Sequence, residues 1–155
     1  MSSRLFQEIR EHRGLCYTIF SQAGAYSDTG LITVYAGTSA EQLGELAEVT
    51  IDEMRRINED LRIAEIDRAR AQMKAGMLMG LESPSNRAER LARMMSIWGR
   101  VPDLSETVAR IDAVTLENVR DFGINLATNA PSAMALYGPV DNAPFLAALK
   151  ERLAG

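Results

Sequence analysis

Leu5-Phe-Gln-Glu-Ile-Arg-Glu-His-Arg-Gly-Leu-Cys-Tyr17 is a helical pattern that runs into a glycine and then into a β-prone run. Leu5, Phe6 and Ile9 share one helical face, which predicts a helix from about Ser3 to His12 with Gly14 at its C-terminal end, the position where a left-handed residue reverses the chain. Leu15 to Ser21 then alternates as a strand covered on both faces would, with Leu15, Tyr17 and Ile19 on one side and Cys16, Thr18 and Phe20 on the other. A helix that turns back at Gly14 brings a fixed cation, Arg10, and a phenol, Tyr17, toward one peptide, an arrangement suited to backbone recognition.

Working outward, Ala23 to Gly30 reads as a loop and Leu31 to Ala36 as a second strand, together a hairpin. Ser39 with Gln42 has the form of a capping box, after which Leu43, Leu46, Ala47, Thr50, Met54 and Ile57 recur at helical spacing. A break near Asp60 precedes a helix marked by Ile66, Ala69, Met73, Met77 and Leu81, which Ser83-Pro84 ends or bends. Asn86 to Trp98 forms another, stopped by Gly99. Asp103 with Glu106, and then Thr115, open two shorter helices. Ser132 to Tyr137, between Pro131 and Pro139, is expected to be a third strand before a last helix from about Asn142 to Leu153. Strands at both ends around a helical block predict an α+β fold, a mainly antiparallel sheet with helices packed on one face. The methionines Met73, Met77, Met79, Met94 and Met95 are expected to be packing, and Trp98 a core or interface anchor.

The chain has 155 residues, 46% of them hydrophobic, which suits a single domain over residues 1–155. A net charge of −4, with arginines interspersed among acids, leaves no basic footprint for nucleic acid. Met1-Ser-Ser-Arg4 leads straight into a helix without an apolar leader, and no apolar run is long enough to span a bilayer. A soluble, cytoplasmic protein is the expectation. The single cysteine, Cys16, cannot form an internal disulfide and reads as a small core residue.

The run Met1-Ser-Ser-Arg-Leu-Phe-Gln-Glu-Ile-Arg-Glu-His-Arg-Gly-Leu-Cys-Tyr17 resembles the C-terminal, non-zinc half of the pitrilysin family of zinc peptidases, especially its mitochondrial-processing-peptidase and insulinase branch. The resemblance continues through Asp28-Thr-Gly-Leu-Ile-Thr-Val-Tyr-Ala-Gly-Thr-Ser39, Leu81-Glu-Ser-Pro-Ser-Asn-Arg-Ala-Glu-Arg90 and Ile111-Asp-Ala-Val-Thr-Leu-Glu-Asn-Val119. It implies that Arg10 binds the substrate backbone and that Tyr17 is the catalytic donor to the scissile carbonyl. It also implies that strands of the same half precede Met1, so that the chain is expected to be a fragment.

The family's inverted H-x-x-E-H motif binds zinc through two histidines a turn apart, with its glutamate as general base. Here His12 is the only histidine, and Leu15 and Cys16 stand where the glutamate and second histidine would be needed. His12 is expected to be an exposed last-turn residue rather than a ligand. No metal site is therefore expected in this chain, zinc being held by a metal-bearing N-terminal half, on the same polypeptide or another. The expected partners are that half and an extended peptide substrate. The alternatives are a non-catalytic assembly or peptide-binding subunit of the same fold and, for a fragment, a homodimer. Alone, the chain is expected to be inactive.

Overall fold

The computed structural model describes residues 3–154, which fall into two compact units. The first comprises the N-terminal stretch through Ala25, Thr29–Asp60 and the segment from Arg120 onward; the second comprises Tyr26–Asp28 and Leu61–Val119.

In the first unit, Phe6–His12 winds as a π-helix instead of the expected α-helix. Gly14 follows at φ 63°, and two bonds close the turn: the Gly14 N–H donates to the Arg10 carbonyl (3.1 Å) and the Leu15 N–H to the Ile9 carbonyl (2.8 Å). Glycine takes this left-handed backbone without the steric cost that a Cβ brings. The widened turn leaves Ile9 with no exposed surface, a burial that contributes about 1.5–3 kcal/mol.

Strand β1 (Thr18–Ala25) pairs antiparallel with β2 (Gly30–Gly37), in a register that sets Ile19 opposite Ala36, Ser21 opposite Val34 and Phe20 opposite Tyr35. The strand thus begins three residues later than the alternation suggests, and the connecting loop is shorter. Tyr17 sits at a bend before β1, so the chain has not settled into strand phase. Leu15, Cys16 and Ile19 are all buried while Tyr17 is exposed, instead of Leu15, Tyr17 and Ile19 sharing a face.

Ile9, Leu15, Cys16, Ile19, Leu46 and Val49 form the core, with Leu5, Val34 and Ala36 packed against it. The first helix and α1 (Leu43–Asp60) therefore cover one face of the hairpin. On the other face Phe20 and Tyr35 stack across the strands, ring centroids 5.2 Å apart, each about half exposed. That face is not covered as expected.

Within α1 the buried Thr50 and Glu53 side chains both have partners. The Thr50 hydroxyl donates to the Leu46 carbonyl (2.7 Å), and Arg56 pairs with the buried Glu53 carboxylate (2.6 Å). Helix α6 (Leu146–Ala154) packs on α1 through Leu149, which is buried. The segment 132–137 is irregular rather than a third strand, and the sheet of the described residues has two strands. An apolar run between prolines supplies an extended backbone but not a pairing partner.

The second unit contains α2 (Ile63–Gly80), α3 (Pro84–Trp98) and α4 (Leu104–Asp112). The Ser83 hydroxyl caps α3 by accepting from the Asn86 N–H, Pro84 takes the first turn, and Gly99 ends the helix at φ 65°. Asp103 makes no side-chain cap, and Glu106 is drawn to Arg100 and Arg110 instead. Before α5 (Leu116–Asn129), Thr115 and Asn118 cap each other reciprocally. Lys74 of α2 pairs with Asp112 of α4 (2.6 Å), and Arg70 donates to the Val114 carbonyl. Met73, Met79 and Met95 are exposed, Met77 and Met94 only partly buried, and Trp98 is half exposed. The expectation that these methionines are core filler is corrected: helical spacing marks a face, not what covers it. No helix of the described residues is long and apolar enough to cross a membrane.

Candidate functional site

Three residues of the Gly14–Tyr17 segment are tied to the end of β2 and the approach to α1. The Gln42 side-chain amide donates to the Gly14 carbonyl (3.2 Å), the Thr38 hydroxyl to the Leu15 carbonyl (2.6 Å), and the Tyr17 N–H to the Gly37 carbonyl (2.9 Å). Gln42 was expected to act in a capping box. Its amide nitrogen reaches Gly14 instead, while its oxygen accepts weakly from the Ser39 hydroxyl (3.5 Å).

This frame borders an open groove of about 490 Å³, whose lining includes Gly14, Cys16, Tyr17, Thr38 and Gln42. Tyr17 is 87% exposed. Its backbone is fixed while its ring and hydroxyl stand in solvent, so the phenol is free to donate a hydrogen bond.

Arg10 is partly buried on the first helix, and its guanidinium Cζ lies 4.8 Å from the centroid of the Phe6 ring. Among the described residues it has no carboxylate partner. Its charge is felt at Cys16: burial pushes that thiol above the ordinary range, and Arg10 partly opposes the shift. Arg10 does not line the groove itself. The structure brings no hydrogen bond between Arg10 and Tyr17.

His12 is exposed in the last turn, its Nδ1 3.2 Å from Glu8 Oε1. Among the described residues no three His, Cys, Asp or Glu side chains gather as a metal site. Sequence reasoning missed Thr38, Gln42 and Phe6 as parts of this region. A hydroxyl and an amide placed just beyond the end of β2, and an aromatic four residues before Arg10, are the signals that could have found them.

Residues 1–73 match the family model described as "Peptidase M16 inactive domain". Over that stretch the chain is similar to the peptidase M16 family. The uncharacterized zinc protease YmxG of Bacillus subtilis (strain 168) is 34% identical over 145 residues, covering 93% of this chain and 35% of the relative. The uncharacterized zinc protease SCO5738 of Streptomyces coelicolor is 35% identical over 141 residues, covering 90% of this chain and 30% of the relative. The chain spans about a third of the length of these relatives.

The same fold occurs in a chain of complex III2 from Candida albicans, Inz-5 bound, with a TM-score of 0.72, 22% identity and coverage of 79% of this chain and 30% of that one. It occurs also in a conserved protein from Enterococcus faecalis V583, with a TM-score of 0.66, 22% identity and coverage of 78% and 28%. The donor set of this chain does not fit that family's zinc: with one histidine it cannot supply the two that the motif requires.

Proposed function

We propose that this chain is the C-terminal lobe of a zinc metalloendopeptidase, most of a half-domain that binds extended peptide and assists cleavage catalysed by a metal-bearing N-terminal half. The other half supplies the metal and the attacking water. Here Tyr17 donates a hydrogen bond to the oxyanion that develops on the scissile carbonyl, and Arg10 holds a carbonyl of the substrate backbone. The peptide adds along the hairpin edge, which gives main-chain bonds with little sequence preference. A cytoplasmic setting belongs to the same reading.

The observation that carries this proposal is the exposed Tyr17 phenol on a backbone pinned at the rim of an open groove. A donor aimed at a transition state must be held in place before reaction, and its polar head must reach the substrate. Similarity to the M16 inactive domain and to proteins named zinc proteases supports the peptidase setting.

A second reading is a non-catalytic assembly or peptide-binding subunit, including a homodimer. It is favoured by the exposed apolar surface, such as the Phe20–Tyr35 stack and Trp98. One assay separates the two. The chain is mixed with an H-x-x-E-H-bearing half, and cleavage of an unstructured fluorogenic peptide is followed with and without a chelator. The lobe reading expects cleavage that needs both halves and stops with the chelator. No cleavage with any metal-bearing half, or a stable dimer by sedimentation with no zinc requirement, overturns it in favour of the second.

A further inference from the structure

We propose that Thr38 and Gln42 are positioning residues that latch the Gly14–Tyr17 segment and thereby set the place of the Tyr17 phenol. This inference rests on the role proposed for Tyr17.

The β1–β2 ladder ends where Gly37 leaves β2, and beyond it residues 38–42 turn toward α1, so main-chain donors no longer face the segment that returns from the first helix. The carbonyls of Gly14 and Leu15 would then have no ladder partner. The Gln42 amide serves the first and the Thr38 hydroxyl the second, while the Tyr17 N–H keeps a bond to Gly37. Two side chains thus extend the sheet register across the bend that carries Tyr17.

The consequences differ along the segment. Leu15 is anchored by burial as well as by its bond to Thr38 and Cys16 by burial, whereas the Tyr17 side chain is out in solvent and inherits its position from the backbone alone. Loosening the Leu15 carbonyl therefore moves the phenol before it unfolds the core. A displacement of about 1 Å in a catalytic group costs on the order of a hundredfold in rate, so a partial loss from one missing bond is expected to be about tenfold.

Cys16, the sole cysteine, reports on the latch without any partner. It is 7% exposed beside the groove in the latched segment, so a thiol reagent reacts with it faster when the segment lifts. In the chain alone, Thr38→Val, which keeps the side-chain shape but removes the donor, should raise the rate of Cys16 labelling by Ellman's reagent about tenfold. Thr38→Ser should restore the wild-type rate. Thermal melts of both variants identify a Thr38→Val chain that has simply unfolded; Gln42→Leu then serves as the second variant, with faster labelling in a folded chain expected. Labelling at the wild-type rate in both folded variants overturns the latch.

The link to catalysis is read with the metal-bearing half present. Thr38→Val should lower kcat about tenfold with KM unchanged, and should cost nothing further in a Tyr17→Phe background, because it acts through the phenol. Equal costs in both backgrounds overturn the positioning role even if Tyr17 is catalytic. Full turnover by Tyr17→Phe alone removes the role proposed for Tyr17 and the catalytic part of this inference with it, while the labelling result still decides whether the latch exists.

Discussion

The guanidinium of Arg10 lies over the ring of Phe6, four residues earlier, with Cζ 4.8 Å from the ring centroid. A cation–π contact between partly buried side chains still open to solvent is worth about 0.5–1 kcal/mol, enough to bias a long side chain toward one rotamer. If Arg10 binds substrate backbone, the ring has already met part of the cost of ordering it. Phe6→Leu, which keeps apolar volume but removes the π face, should raise KM for an unstructured peptide by roughly two- to fivefold and leave kcat unchanged. Steady-state kinetics of the variant with the metal-bearing half check this; an unchanged KM removes Phe6 from the binding of substrate.

Gly14 gives the most direct test of the turn. Its φ of 63° penalises any Cβ, yet a Cβ built there would meet nothing within 4 Å, so the penalty is purely one of backbone conformation. Gly14→Ala should therefore cost about 1–2 kcal/mol in urea unfolding, and Gly14→Asn less, since Asn tolerates the left-handed region. Equal stability of wild type and the Ala variant would mean that the turn rearranges.

That turn is also where the sequence is most legible. A helix face of Leu5, Phe6 and Ile9 followed by Gly14 can hardly be read otherwise, and Ser83-Pro84, Gly99 and Thr115 bound their helices by local chemistry that the structure retains. The π winding of Phe6–His12 is not legible, because i→i+4 and i→i+5 bonding place the same residues inward over two turns. The phase of Tyr17 is lost for a related reason: alternation counted from Leu15 assumes a strand that starts there, whereas a bend precedes Thr18. Ser132 to Tyr137 fails as a strand since pairing is a non-local property that an extended, proline-bounded run does not encode. Within the candidate site, Arg10 and Tyr17 stand out by resemblance. Thr38 does not, because its hydroxyl acts on a carbonyl 23 residues away.

Glu106 predicts an acid response. Arg100 donates to both of its oxygens (2.7 and 2.6 Å) and Arg110 to one (2.8 Å), and these bonds hold the carboxyl down to about 2 from an ordinary 4.5. A depressed folded-state value stabilises the fold above the unfolded value, and that stabilisation is lost as pH falls through the folded one. The contribution is thus complete above about pH 4.5 and disappears toward pH 2. Solvent screening at this surface site keeps it small. Glu106→Gln should flatten the acid limb of a circular-dichroism stability profile between these pH values, being slightly less stable than wild type at pH 7 and matching it near pH 2. An identical acid limb in wild type and variant would show that the two arginines contribute nothing.

Helix α6 is held to α1 in two physically different ways, and salt can separate them. Arg152 makes two bonds of 2.7 Å to Asp52 and one of 2.8 Å to Glu48, all three side chains being partly exposed. Leu149, on the same helix, is buried. Exposed ion pairs gain little in water and are screened at high ionic strength, whereas apolar burial is not weakened by salt. Leu149→Ala should therefore cost about 2–5 kcal/mol at any salt concentration. Arg152→Met should lower the melting temperature only slightly at low salt and not at all near 1 M. The bond from Arg152 also keeps the Asp52 carboxyl below its usual range. The arginine's share should accordingly be present above the ordinary aspartate value and fade as pH drops below it. A loss from Arg152→Met that persists in high salt would instead assign the stabilisation to the packing of its aliphatic stem.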